Sequence, residues 1–241
     1  MTASQPIDDV IIIGIDFGTT YVCLQRIVKA VTDTCSRRFS GVSWAYSREP
    51  EDIEIVTSWD AELNHCSDVE KAPTKLLYGD NGKTTWGYSV PADMDALKWF
   101  KLLLLDEDDI PCALSASTQL DKARRLQKAT NKDPVDIIAC FLRNLWNHAI
   151  DSIKRSIGAE LLKMSKFHVV ITLPAIWPHY AQRRMKEAAK LSGILDARSC
   201  GATTLRFISE PEAAALATIK DLSKRSTIDV CHLHRASGGL D

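Results

Sequence analysis

The sequence predicts an α/β protein, a mixed sheet flanked by helices, and three observations carry this expectation. Val10 to Ile15 is an unbroken apolar run that stops at Asp16, as expected of a strand covered on both faces. Val169 to Leu173 is a second such run, set between two stretches of helical character. From Pro134, the residues Ile138, Phe141, Leu142, Leu145, Ile150, Ile153 and Ile157 recur at helical spacing until Gly158 stops them.

Taken in order, residues 1–7 form a polar tail and the first strand follows. Phe39-Ser-Gly-Val-Ser-Trp-Ala-Tyr46 is predicted to be the second strand, and Ile53, Ile55 and Val56 mark a third that completes an antiparallel meander. Pro73–Tyr78 and Thr84–Tyr88 flank Asp80-Asn-Gly82, which suits a tight hairpin turn. Gly82-Lys83-Thr84 is no P-loop, since Leu77 stands where that motif needs its first glycine. Residues 94–128 are expected to be helical in stretches, including an amphipathic Ala96–Leu105 in which Lys98 and Lys101 keep solvated ends. After the long helix and the Val169–Leu173 strand come a helix from about Pro178 to Ser192, a strand over Thr204–Ile208, and a helix from Pro211 to about Leu222. This order predicts a ribonuclease-H-like lobe with a five-stranded sheet, spanning 8–60 and 133–225. A small α+β insertion subdomain at 61–132 interrupts it, and an aberrant end occupies 226–241.

The turn after the first strand carries the first chemistry. Gly18 lets the backbone approach a ligand without a Cβ, and Thr19 and Thr20 add hydroxyl donors that suit phosphate oxygens. A plain turn ending a core strand would use the same residues. Two later stretches, His168-Val-Val-Ile-Thr-Leu-Pro174 followed by Gln182-Arg183, and Arg206-Phe-Ile-Ser-Glu-Pro-Glu-Ala-Ala-Ala215, complete an ordered set with Ile15–Thr20. The set resembles three motifs of the ATPase domain of the seventy-kilodalton heat-shock chaperones, within the actin-like ATPase superfamily. The resemblance covers residues 8–222 and is tight at the motifs, while the middle is closer to divergent, chaperone-related proteins.

The resemblance implies ATP or ADP as ligand and Mg²⁺ as cofactor. It places Asp16 at the metal through water, Gly18, Thr19, Thr20 and the aromatic Tyr21 at the nucleotide, and Glu210 as the catalytic carboxylate that orients the Mg²⁺ shell and the attacking water. Pro174 and Arg183 match residues that couple nucleotide state to the rest of the chaperone. A lysine from the insertion subdomain reaches the terminal phosphate in typical members, and the sequence does not identify it here. Client polypeptides and co-chaperones are implied as partners of a complete form.

Residues 21–38 read as an insertion into the phosphate-binding hairpin, because deleting them restores Gly-Thr-Thr-Phe-Ser-Gly-Val. A retained intron is one account and a genuine helix through Leu24, Ile27, Val28 and Val31 the other; Tyr21 and Phe39 both remain candidates for the aromatic position. Ala236–Asp241 echoes the second phosphate loop of the family without its leading aspartate and its threonine. The expectation is therefore a truncated chain that holds one lobe and does not turn over ATP. A non-enzymatic interaction module that retains the lobe is the alternative from another class, and a sugar- or acetate-kinase-type phosphotransferase a third.

Composition bounds these readings. With 241 residues, 45% hydrophobic, 25% charged and a net charge of -1, the chain is globular, with no overall electrostatic reason to bind nucleic acid or an anionic membrane. No apolar run approaches a membrane span and no secretion signal opens the chain, so cytoplasm, or the nucleus, is expected. The seven cysteines have no metal-knuckle or redox spacing, and His232 and His234, which flank one residue, have no cysteine or carboxylate arrangement of metal-site type alongside.

Overall fold

β1 (Val10–Asp16) is the central strand of the main sheet in the computed structural model, which describes residues 10–18, 39–60, 68–79 and 82–222. β2 (Phe39–Tyr46) pairs with it antiparallel, placing Asp16 opposite Gly41 and Ile13 opposite Trp44. Two short strands share the outer edge of β2: β3 (Glu54–Ile55) lies against Ser43 and Trp44, and β4 (Lys71–Pro73) against Phe39 to Gly41. β5 (Leu76–Tyr78) and β6 (Thr84–Trp86) form the expected hairpin as a separate two-stranded sheet. On the other side of β1, β7 (Lys166–Leu173) and then β8 (Thr204–Ser209) run parallel to it. The main sheet has six strands among the described residues, with β4 added to the five expected. Three residues holding a proline make no alternating pattern, and a proline is tolerated there because β4 occupies an edge.

The helices are α1 (Cys112–Ser115), α2 (Thr118–Thr130), α3 (Pro134–Ile157), α4 (Ala159–Met164), α5 (His179–Leu191) and α6 over 210–222. α3 starts where expected because Asp133 Oδ1 accepts a hydrogen bond from the Val135 amide at 2.8 Å and Pro134 needs no amide partner. It stops at Gly158, whose φ of +87° a side chain would strain. α6 opens on a side-chain cap: Ser209 Oγ accepts from the Glu212 amide at 3.3 Å.

One face of the main sheet is dry. Ile11, Ile13, Ile15, Val42, Trp44, Phe167, Val169 and Ile171 join Phe141, Leu142 and Leu145 of α3 and Met185 and Ala188 of α5 in a single core. Phe17 continues that face past the end of β1 and lies 5.5 Å, centroid to centroid, from Phe141. The opposite face, with Ile12, Gly14 and Asp16, is only half-buried. A cleft of about 420 Å³ opens on it between the sheet and Ala213 and Leu216 of α6.

Ala96–Leu105 is not the expected amphipathic helix. Leu97 exchanges backbone hydrogen bonds with Leu76, which takes up the carbonyl that a first helical turn would need. Trp99 then adopts a left-handed conformation, φ +61°, and only Phe100–Leu104 coils, as a 3-10 helix. Phe100, Lys101, Leu102 and Leu104 are all buried. With Lys98 alone exposed and Leu103 half-buried, the segment has no polar face to keep, so no helical stripe is required of it. Phe100 and Trp86 pack on Phe141 in the core shared with β1, and β4 belongs to the main sheet. Among the described residues no helix is long and apolar enough to cross a membrane.

Candidate functional site

Because β1, β7 and β8 are parallel, their carboxyl ends lie along one edge, and Asp16, Pro174 and Glu210 arrive there together. Such an edge is where open α/β sheets bind ligands. The chain turns at Gly18 under close confinement. A Cβ there would fall 2.0 Å from the Phe39 carbonyl oxygen, a backbone atom that cannot swing aside. The Gly18 amide donates to Ser40 Oγ at 3.3 Å, and Ser40 Oγ is 2.9 Å from Thr74 Oγ1 in a buried pair of hydroxyls. Thr19, Thr20 and Tyr21, the other predicted nucleotide contacts, lie outside the described residues, as does the suspected insertion 21–38.

Asp16 is held at both oxygens. Thr172 Oγ1 donates to Oδ1 at 3.1 Å, and Lys71 Nζ donates to Oδ2 at 2.6 Å. Glu210, at the first position of α6, accepts from Lys101 Nζ at 3.1 Å. The same ammonium donates to the carbonyl oxygen of Phe17 at 2.7 Å and lies 5.2 and 5.4 Å from the ring centroids of Phe17 and Trp177.

Lys101 was expected to reach solvent, and instead its side chain is 1% exposed. The physical reason is that three compensations meet at one point: a carbonyl, a carboxylate and two aromatic faces. Burial pushes the ammonium from its ordinary 10.5 down to about 8, against the upward pull of the Glu210 and Asp16 carboxylates. A lysine in this state delivers a nearly dehydrated charge between the ends of β1 and β8.

Pro174 is buried at the end of β7, and its carbonyl accepts from the Trp177 amide at 3.3 Å. Arg183 is exposed on α5, and no contact among the described residues joins it to the edge. Its neighbour Arg184 is the arginine that ties α5 to the segment after Lys101, donating to Leu104 O at 2.7 Å and to Asp106 Oδ1 at 2.8 Å.

The residues fit a phosphate-bearing ligand. Lys71 and Lys101 supply positive charge, and the cleft reaches Asp16 and Lys71. For a metal the fit is looser: no group of three carboxylate, imidazole or thiol side chains gathers among the described residues. Asp16 and Glu210 could hold Mg²⁺ only through its water shell, with phosphate oxygens completing the set. Lys71, Lys101 and Thr172 are the site residues that sequence reasoning did not assign. A lysine inside the apolar run Trp99-Phe-Lys-Leu-Leu-Leu-Leu105 was the available signal for Lys101.

No family model matches the chain. It is similar to the mouse heat shock 70 kDa protein 12A, 24% identical over 86% of this chain and 28% of the relative. It is also similar to the human heat shock 70 kDa protein 12B, 26% identical over 86% of this chain and 27% of the relative. A ribosome-associated molecular chaperone of Saccharomyces cerevisiae is 27% identical over 94% of this chain and 34% of its own length. The chain thus spans about a third or less of these relatives.

Proposed function

We propose that this divergent heat-shock-70-like chain carries the N-terminal, ribonuclease-H-like lobe of an actin-like ATPase domain, and that its sheet edge binds the phosphates of ATP or ADP with Mg²⁺. The observation that supports this best is the buried Lys101, whose ammonium bridges the Phe17 carbonyl and the Glu210 carboxylate beside Asp16. In this reading Lys101 is the lysine that reaches the terminal phosphate. Asp16 orders the water shell of the metal, and Gly18 with Thr19, Thr20 and Tyr21 surrounds the phosphates. Glu210 accepts from Lys101 and orients the attacking water, as a positioned carboxylate can. Mg²⁺ supplies charge neutralisation of the phosphates when bound. Pro174 and Arg183 are proposed to relay nucleotide state, and client polypeptides or co-chaperones are partners of the complete protein.

The described residues wall one side of such a ligand, and a transition state open to water forfeits preorganised stabilisation. Assayed as this chain alone, the lobe is therefore expected to bind Mg-ATP with a Kd weaker than about 1 μM and not to hydrolyse it. Titration with Mg-ATP followed by amide NMR tests this. Shifts at Gly18, Glu210 and the Lys101 segment support the reading, and no shift there at millimolar ATP would leave the non-enzymatic interaction module in its place. Submicromolar binding would overturn the one-sided site.

A further inference from the structure

We propose that Lys71 is a resident counter-cation of Asp16, which a divalent metal ion must displace, so that Lys71 sets the metal dependence of phosphate binding at this edge. The inference rests on the nucleotide reading for its purpose and on separate geometry for its substance. Asp16, Gly41 and Lys71 stand in line across three strands, since Asp16 pairs with Gly41 in β1–β2 and Gly41 with Lys71 in β2–β4. The lysine side chain reaches Asp16 by crossing β2 at Gly41. A Cβ there would lie 3.1 Å from Lys71 Cγ and 3.3 Å from the Glu70 carbonyl oxygen, tighter than ordinary contact. Gly41 thus keeps open the track along which Nζ comes within 2.6 Å of Oδ2.

The other oxygen, Oδ1, already accepts from Thr172. A cation arriving at Asp16, directly or through water, therefore meets an ammonium at the oxygen not engaged by Thr172 and is repelled by it. Lys71 and Asp16 are 50% and 42% exposed, so the pair is solvated and exchangeable rather than locked. Lys101 does not share this role: its ammonium is buried and turned to Phe17 O and Glu210, whereas Lys71 faces the cleft. A chain arranged in this way balances Asp16 without metal. The same arrangement lowers its affinity for metal.

The test is a Mn²⁺ titration of the nucleotide-free chain, followed by paramagnetic broadening of the Gly18 and Gly41 amide signals, which reports binding even at millimolar affinity. Lys71→Met is expected to lower the Mn²⁺ midpoint about tenfold, the scale of removing a close like charge in a solvated site. Lys71→Arg should leave the midpoint at the parent value, and Asp16→Asn added to Lys71→Met should abolish the gain. Gly41→Ala, which blocks the track without touching either charge, gives a second route and should shift the midpoint in the same direction. An unchanged or higher midpoint in Lys71→Met, or no Mn²⁺ broadening of that variant, overturns the proposal. A parallel ATP titration separates the two readings. The Mn²⁺ difference without ATP binding would remove the nucleotide reading and keep the counter-cation, and ATP binding with an unchanged midpoint would do the reverse.

Discussion

Replacing Lys101 by Met makes the buried charge measurable. The folded chain holds this ammonium at about 8 against 10.5 for an ordinary lysine, a difference worth about 3 kcal/mol. Below pH 8 both folded and unfolded chains carry the proton, and the burial cost is constant. Between pH 8 and 10.5 the folded chain releases it first, the unfolded chain binds more protons, and stability from this group rises with pH. Lys101→Met removes that rise and removes the cost at neutral pH. Against it stand the lost donor to Phe17 O, about 1–2 kcal/mol, and the lost contact with the partly exposed Glu210 carboxylate, where water can take the place of the ammonium. The net expectation is a variant about 1 kcal/mol more stable at pH 7, or some 2–4 °C in Tm for a chain of this size, with the advantage shrinking and then reversing by pH 10.5. Calorimetric melts of both proteins from pH 6 to 10.5 supply the comparison. A variant that melts several degrees lower at pH 7, with the pH slope of the parent, would show that the lysine is not a buried cation at an energetic cost.

Two further perturbations act on the turn beside it. Gly18→Ala forces a methyl against the Phe39 backbone and should cost roughly 2 kcal/mol or more in chemical denaturation; equal stability would mean that Phe39 does not pass so close. Deleting residues 21–38 joins Thr20 to Phe39 and leaves only residues 17–20 and 39–40 between the paired Asp16 and Gly41, so the shorter connection should stabilise the chain on the order of 1 kcal/mol. A lower melting temperature would instead indicate that the removed residues pack.

What could be read from the sequence was what neighbours in the chain determine. α3 carries its own start and stop in Asp133-Pro134 and Gly158, and β1 and β7 announce themselves by apolar runs; the extents of α3 and β1 agree with expectation, while β7 begins at Lys166, three residues before its apolar run. Asp16 and Glu210 reach one edge because both follow parallel strands, which the element order already implied. The cations that face them were not legible. Lys71 meets Asp16 across 55 positions, Lys101 meets Phe17 across 84, and Thr172 meets Asp16 across 156. Nothing local marks Lys71 for such a meeting, and the apolar run around Lys101 is a hint of burial that does not name its partners. Lys101 was misjudged for a further reason. The spacing of Ala96–Leu105 permits a helix, and only the long-range bridge from Leu97 to Leu76 forbids one.

The central position of β1 also governs how the chain is made. Its antiparallel neighbour follows soon after it, but its parallel neighbour begins at Lys166, paired with Val10 from far along the polypeptide. At ribosomal speeds of roughly 5–20 residues per second, Val10 to Ile15 waits on the order of 10–30 s for β7 to emerge. During that interval one edge of an almost purely aliphatic strand has no pairing partner, the condition under which nascent sheets associate with one another. Loops this long also close slowly, because chain entropy is lost before any contact forms to offset it. Yield of folded chain should therefore depend on synthesis rate and temperature more steeply than the stability of the finished sheet would suggest.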